Sequence, residues 1–304
     1  MSDHDHSNNN DSCDSGDCGS CGSASHCSSA KAEQELKDIR LKNRLEKIKN
    51  RVVVLSGKGG VGKSMVALKL ATLLAAQGKS VGLLDIDIHG PSVPTLLGLE
   101  GKPLQIDPKS ESMLPVDYMG LKVISIGFLL RNQDDAIIWR GPLKMGVIRQ
   151  FIQDVEWGEL DYLIIDAPPG TGDEPLTLAQ LMPGAHALVV TTPQKVATAD
   201  VRKSINFCSK VDLNIIGVVE NMSGLTCPDC NRLIEIYPGG QAAKMCEEMN
   251  VPLLARLPIN PELAQASDDG VAYKYIYDHQ NPADPFNAVL DKVMALDDAV
   301  KPAE

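Results

Sequence analysis

Gly57-Lys58-Gly59-Gly60-Val61-Gly62-Lys63-Ser64 follows the apolar run Val52-Val53-Val54-Leu55 and precedes a helical pattern from Met65 to Gln77. Strand, glycine loop and helix in that order are the context in which G-x-x-x-x-G-K-[ST] becomes a phosphate-binding loop. The glycines allow backbone N–H groups to turn inward onto phosphate oxygens at a helix N-terminus. Lys63 places a point charge on the outer phosphates, and Ser64 offers a hydroxyl to Mg²⁺. Lys58 is a second lysine inside the loop, for which simple phosphate binding has no need.

Beyond the loop, strand-like and helix-like segments alternate. Strands are predicted at 51–56, 80–85, 122–126, 161–166, 186–191, 214–219 and 253–257, and helices at 64–77, 142–155, 175–181, 197–209 and 240–249, with a last one at 284–296. Buried apolar strands alternating with helices predict an α/β fold, a mostly parallel sheet with helices on both faces. Ligands of such sheets bind beyond the strand C-termini, where the glycine loop falls. The expected organisation is a Cys-rich tail at 1–30, with too little to bury for a packed core unless a metal organises it, a basic amphipathic linker helix at 31–50, and one nucleotide-binding domain at 51–304.

The 304 residues carry a formal net charge of −11, which argues against a general nucleic-acid binder. No apolar run approaches the ~20 residues that span a bilayer, and the polar, acidic start lacks a signal-peptide core. The expectation is a cytoplasmic protein with neither nucleic acid nor membrane as partner.

Two further apolar strands end in carboxylates. Val81-Gly82-Leu83-Leu84 leads to Asp85-Ile86-Asp87, and Tyr162-Leu163-Ile164-Ile165 to Asp166-Ala167-Pro168-Pro169-Gly170-Thr171-Gly172-Asp173. An aspartate at the end of a strand beside a phosphate loop is where a Mg²⁺-supporting carboxylate is expected. Each taken alone reads as a cap or turn residue; together with a full phosphate loop they do not.

Eight cysteines are many for a reducing compartment, and six of them cluster, which points to metal or redox chemistry rather than disulfides. Cys227-Pro228-Asp229-Cys230 is a C-x-x-C that fits a redox pair, half of a zinc site or half of an iron–sulfur site, the last two needing four ligands. A two-fold axis bringing Cys227 and Cys230 of two subunits together would supply them. Cys208 and Cys246 fall in helical segments and read as core residues. Cys13-x4-Cys18-x2-Cys21-x5-Cys27 could close around a cluster of its own, with His4, His6 or His26 as substitute ligands; the competing reading is a tail of scavenging thiols.

The second loop lysine, in Lys58-Gly59-Gly60-Val61-Gly62-Lys63-Ser64, resembles the deviant Walker A motif of the MinD/ParA/nitrogenase-iron-protein class. The resemblance implies that Lys58 reaches across a nucleotide-sandwich homodimer to the partner's phosphates. From about Arg51 to Tyr277 the chain further resembles the Mrp-type (ApbC-like) iron–sulfur cluster carrier ATPases. The matching stretches are Asp85-Ile86-Asp87-Ile88-His89-Gly90-Pro91-Ser92, Trp139-Arg140-Gly141-Pro142, the Asp166–Asp173 run, Thr191-Thr192-Pro193-Gln194 and Glu220-Asn221-Met222-Ser223-Gly224. By that similarity Asp87 positions the attacking water, with Lys58 and Lys63 completing the catalytic set. Asp85 supports the metal, Asp166 is the Walker B carboxylate and Asn221 contacts adenine. A [4Fe–4S] cluster would bridge two copies at Cys227 and Cys230, for transfer to apo iron–sulfur proteins together with cluster-assembly factors. Cys18, Cys21 and Cys27 are spaced as in the eukaryotic cytosolic branch, while Cys13 lies closer to Cys18 than that branch places it. Rival readings are a MinD/ParA-like positioning ATPase, a nitrogenase-reductase-like electron donor, and a zinc-bridged regulatory ATPase.

Overall fold

The computed structural model describes residues 35 and 37–299, except 89, 111, 130–140, 228, 231 and 238. The cysteines Cys13, Cys18, Cys21 and Cys27, the histidines His4, His6 and His26, and the expected tail at 1–30 lie outside the described residues. By contacts the chain divides into Met1–Arg40 and Leu41–Glu304.

The second unit is built on an eight-stranded sheet. Its strands are β1 (Ile48–Ser56), β2 (Val81–Asp85), β3 (Val116–Tyr118), β4 (Leu121–Ser125), β5 (Leu160–Asp166), β6 (His186–Thr191), β7 (Asn214–Glu220) and β8 (Leu253–Arg256). They lie in the order β8-β7-β6-β1-β5-β2-β4-β3. All neighbours are parallel except β3, which runs antiparallel to β4 at one edge. The seven strands expected from the sequence are all present. β3 was not expected, because three residues, Val116-Asp117-Tyr118, give no periodic signal.

Successive side chains of a strand face opposite sides, so a central strand must be apolar throughout. In β1, Val52 and Val54 pack with Leu70, Leu83, Ile164 and Val289, whereas Val53 and Leu55 pack with Leu84, Phe151, Ile165 and Leu178. The first core lies under α1 (Lys63–Ala76), which carries no polar stripe because it is covered nearly all round. The second is covered by α2 (Gly141–Gln153) and α3 (Asp173–Leu181). A third patch joins Val189 and Val218 to Val201 and Ile205 of α4 (Lys195–Lys210) and Met245 and Cys246 of α5 (Gln241–Glu248).

Most boundaries fall within two residues of expectation, and two stretches differ by more. Residues 37–45 are helical, but 48–50 are strand, because Ile48 and Asn50 are buried and pair with Leu160 and Tyr162 of β5. The helix is fastened by Arg44, whose guanidinium donates to the carbonyls of Gln153 and Val155 (3.1 Å) and to Ser112 Oγ (2.7 Å). The last expected helix begins at Asn287 and ends at Met294. Asp284 forms its entry turn instead, accepting from Phe286 N–H (2.9 Å) and pairing with Lys69 (2.6 Å).

Candidate functional site

The sheet register brings the glycine loop and the strand-end carboxylates to one place. β1 lies between β5 and β6, and β5 between β1 and β2, so Val54 pairs with Asp166 and Asp166 with Asp85. After Ser56 the chain turns through Gly57–Gly62 into α1. Gly60 (φ 76°) and Gly62 (φ 81°) are left-handed, a region that L side chains avoid. A Cβ on Gly57 would meet the backbone of Asp200 at 2.6 Å, and one on Gly62 would collide with the Asn221 amide. Gly59 and Gly60 face open space. The helical ladder starts with Val66 N–H donating to Gly62 O (3.0 Å), so the N–H groups before it, Lys63 and Ser64 included, stand at the head of α1 ahead of any ladder bond.

Lys63 is almost fully buried (6% exposed) and its ammonium bonds Asp166 and lies 3.5 Å from Asp87. Burial pulls the lysine toward the neutral form, but the charges of Asp166 and Asp87 outweigh it and hold it protonated. Asp166 is itself fully buried; burial raises its carboxyl, opposed by Lys63 and the Ser64 hydroxyl. Its Oδ2 is buried without a hydrogen-bond partner. Asp85 sits behind this pair, accepting from Asp87 N–H (3.1 Å), Val93 N–H (3.3 Å) and Ser125 Oγ (2.9 Å). Burial and the neighbouring Asp166 push it up to about 7. Asp87, Asp166, Lys63 and Ser64 thus converge, while Asp85 braces the turn that carries Asp87.

The residues present fit Mg²⁺ and a nucleoside phosphate. The loop offers N–H donors and a lysine for phosphate, and Ser64, Asp87 and the unpartnered Asp166 oxygen form the hard oxygen set that Mg²⁺ prefers. Lys58 extends to Gln194 Oε1 (3.1 Å), and Asn221 Nδ2 donates to Val61 O (2.9 Å), clasping the loop from β7. Gln194 and Ser125 enter the site through these contacts, and neither residue by itself signals that role in the sequence. Gln194 was visible in the Thr191–Gln194 stretch, whereas the pairing of Ser125 with Asp85 depends on strand order.

Cys227 and Cys230 stand on a two-stranded ribbon, Leu225–Thr226 against Leu233–Ile234, closed by Cys227 N–H donating to Arg232 O (2.9 Å). Cys227 is half-buried and Cys230 exposed. Hydrogen bonds from the backbone N–H groups of Cys230 and Asp229 lower the Cys227 thiol toward the thiolate. Leu233, Ile234 and Ile236 are exposed around them. Among the described residues no group of three or more His, Cys, Asp and Glu side chains could hold a metal ion, so the pair is at most half of a four-ligand site. Cys208 and Cys246 are core residues as expected, their thiols pushed up to about 12 and about 11 by burial.

A parallel sheet that holds phosphate by backbone, a buried lysine and a strand-end aspartate is the working end of a P-loop NTPase. A family model described as ParA, NUBPL iron-transfer P-loop NTPase, matches residues 47–294, and the chain belongs to that family. It is 45% identical over 260 residues to an iron-sulfur cluster carrier protein of Saccharolobus solfataricus, covering 85% of this chain and 88% of that one. It is also 45% identical over 275 residues to the cytosolic Fe-S cluster assembly factor CFD1 of Kluyveromyces lactis, covering 86% of this chain and 96% of the relative. A nucleotide-binding protein of Archaeoglobus fulgidus, solved in complex with ADP, superposes with a TM-score of 0.69 at 40% identity, covering 81% of this chain and 97% of that one.

Proposed function

We propose that this chain is a Mg²⁺-dependent ATPase that holds a [4Fe–4S] cluster between two copies of itself and passes it to apo iron–sulfur proteins, working with cluster-assembly factors in the cytoplasm. The observation that carries the reading is a two-thiol half-site on a surface ribbon that leads directly out of the Asn221 turn at the nucleotide loop. A cluster of this kind takes four thiolates, so it calls for a symmetric second copy. The relatives named as cluster carriers and assembly factors support the cargo, and the ADP complex of the Archaeoglobus relative supports the nucleotide. No described helix is long and apolar enough to cross a membrane.

In this reading the loop N–H groups and Lys63 hold the phosphates, Ser64 and Asp166 hold the Mg²⁺, and Asp87 orients the attacking water. Mg²⁺, when bound, neutralises charge on the phosphates and the leaving group. Asp85 supports that site through the Asp87 turn. Lys58, a neighbour of Gln194 in the single chain, delivers its charge to the phosphates of the opposite subunit. Asn221 contacts adenine. Cys18, Cys21 and Cys27, with Cys13 or a histidine, hold a second cluster.

Anaerobic reconstitution tests this. A truncated protein beginning at Lys31 should take up about four iron and four sulfide per dimer. Cys227→Ala and Cys230→Ala should lose that iron and retain ATP binding, and the full chain should take up more than the truncated one. Reconstituted protein that held zinc or no iron would overturn the cluster reading. ATP-dependent binding to DNA or to anionic liposomes would favour a positioning ATPase instead.

A further inference from the structure

Only five residues separate Asn221, which clasps the glycine loop, from Cys227 on the ribbon. The turn between them is tightly specified. Met222 (φ 57°) and Gly224 (φ 117°) are both at positive φ. Ser223 N–H donates to Leu257 O (2.8 Å), and Ile259 N–H donates to Gly224 O (2.7 Å), tying the turn to the end of β8. At its root is Glu220, 1% exposed. Glu220 Oε1 accepts from Ser223 Oγ (2.7 Å) and lies 3.5 Å from Arg256 Nε, whereas Oε2 is buried with no hydrogen-bond partner. This carboxylate has no place in the phosphate chemistry. Glu220 is also among the residues around a hollow of about 370 Å³, with Ser223, Thr226, Leu233 and Arg256. The ribbon therefore borders open space, attached at its base to a buried carboxylic side chain with one oxygen unpartnered. A buried carboxylate oxygen left without a partner is costly, so the arrangement around Glu220 is incompletely stabilised as it stands.

We infer that Glu220 is a positioning residue that ties nucleotide occupancy of the glycine loop to the placement of the Cys227/Cys230 ribbon, acting through the Asn221–Gly224 turn. This rests on the reading of the site as nucleotide-binding and of the two cysteines as cluster ligands. The Asn221 amide donates to Val61 O of the glycine loop. Nucleotide that draws on that amide or reshapes the loop shifts Asn221, and the turn re-seats about Ser223 and Glu220. Because Gly224 runs directly into Leu225, the ribbon moves with it. Its room to move is the hollow.

The test is residue-resolved alkylation by iodoacetamide of the metal-free, reduced full chain, with and without Mg·ADP. ADP fills the loop without the γ-phosphate that a nucleotide sandwich needs, and buried Cys208 and Cys246 serve as unreactive internal controls. The wild-type rate at Cys227 should change by about fivefold or more on adding Mg·ADP, the lower range of ordinary site-to-site coupling. Glu220→Gln and Ser223→Ala should bind Mg·ADP within about twofold of wild type yet lose most of that change. If Glu220→Gln does not fold, Ser223→Ala is read alone, since it removes only the hydroxyl. Persistence of the full effect in a folded variant overturns the inference, as does a wild-type protein that binds Mg·ADP with no change at Cys227. A wild-type protein that binds no Mg·ADP overturns the nucleotide reading beneath it, and one that couples but takes up no iron in the reconstitution overturns only the cluster reading.

Discussion

Lys63 is ordinarily thought of as a ligand for phosphate, but its contacts with Asp166 and Asp87 also give it a structural role that Lys63→Met isolates. Methionine fills much of the stem's volume, so little packing is lost, and what disappears is the ammonium between Asp166 and Asp87. Asp166 is 0% exposed and Asp85 beside it also 0%. Removing one partner of a buried pair leaves an uncompensated charge and costs about 3–5 kcal/mol. Protonation limits that cost, and its direction follows from the shifts. Asp85 is already raised to about 7 with the lysine in place, and Asp166 is raised as well. A carboxyl raised in the fold binds its proton more tightly there than in the unfolded chain. Its ionisation therefore destabilises the fold at high pH, and the penalty fades as pH falls from about 8 toward the ordinary carboxyl value near 4. Urea denaturation of nucleotide-free protein should show the variant about 3–5 kcal/mol less stable than wild type at pH 8 and about half that deficit or less at pH 5, with unchanged m. The double variant Lys63→Met/Asp166→Asn should regain part of the loss at pH 8, because a neutral pair replaces an orphaned charge. An equal deficit at both pH values, with no recovery in the double variant, would refute the electrostatic account.

Three further outcomes follow from named contacts. Gly62→Ala should cost about 1–2 kcal/mol in urea titration for the left-handed backbone alone, more for its collision with Asn221, whereas Gly59→Ala, whose Cβ meets nothing within 4 Å, should stay within about 0.5 kcal/mol. In metal-free protein, the alkylation rate of Cys227 should fall less between pH 8 and pH 6 than that of free glutathione, because its lowered thiol keeps more thiolate at the acid end; Cys208 and Cys246 should react only on unfolding. Arg44→Ala should lower stability by about 2 kcal/mol, since it strips a donor from two carbonyls and the Ser112 hydroxyl, and the urea midpoint reads it directly.

Much of this molecule is legible in its sequence because buried parallel strands are written as unbroken apolar runs, as in Val52–Leu55 and Leu163–Ile165. The glycine loop is a local motif and needs no tertiary information. What was hidden depends on strand order or on elements too short to show a period. The lysine- and asparagine-containing start of β1, Ile48-Lys49-Asn50, reads as linker until its pairing with Leu160 and Tyr162 is known. The closeness of Asp85 to Asp166 comes from β5 lying between β1 and β2, and the contact of Lys58 with Gln194 joins residues 136 apart. The C-x-x-C spacing gave the two thiols, but not the ribbon under them, whose strands are two residues each.

The place of β1 in the sheet has a consequence for how the molecule yields. With strands on both sides and a core on each face, β1 cannot open without the sheet parting, so its amides should exchange with deuterium only through global unfolding. The ribbon at 225–234 belongs to no large sheet and rests partly on a hollow, so its amides should exchange through small local openings. The glycine loop thus springs from a strand held on both edges and both faces, while the thiols stand on a ribbon outside that sheet, so a shift of Cys227 and Cys230 need not open β1.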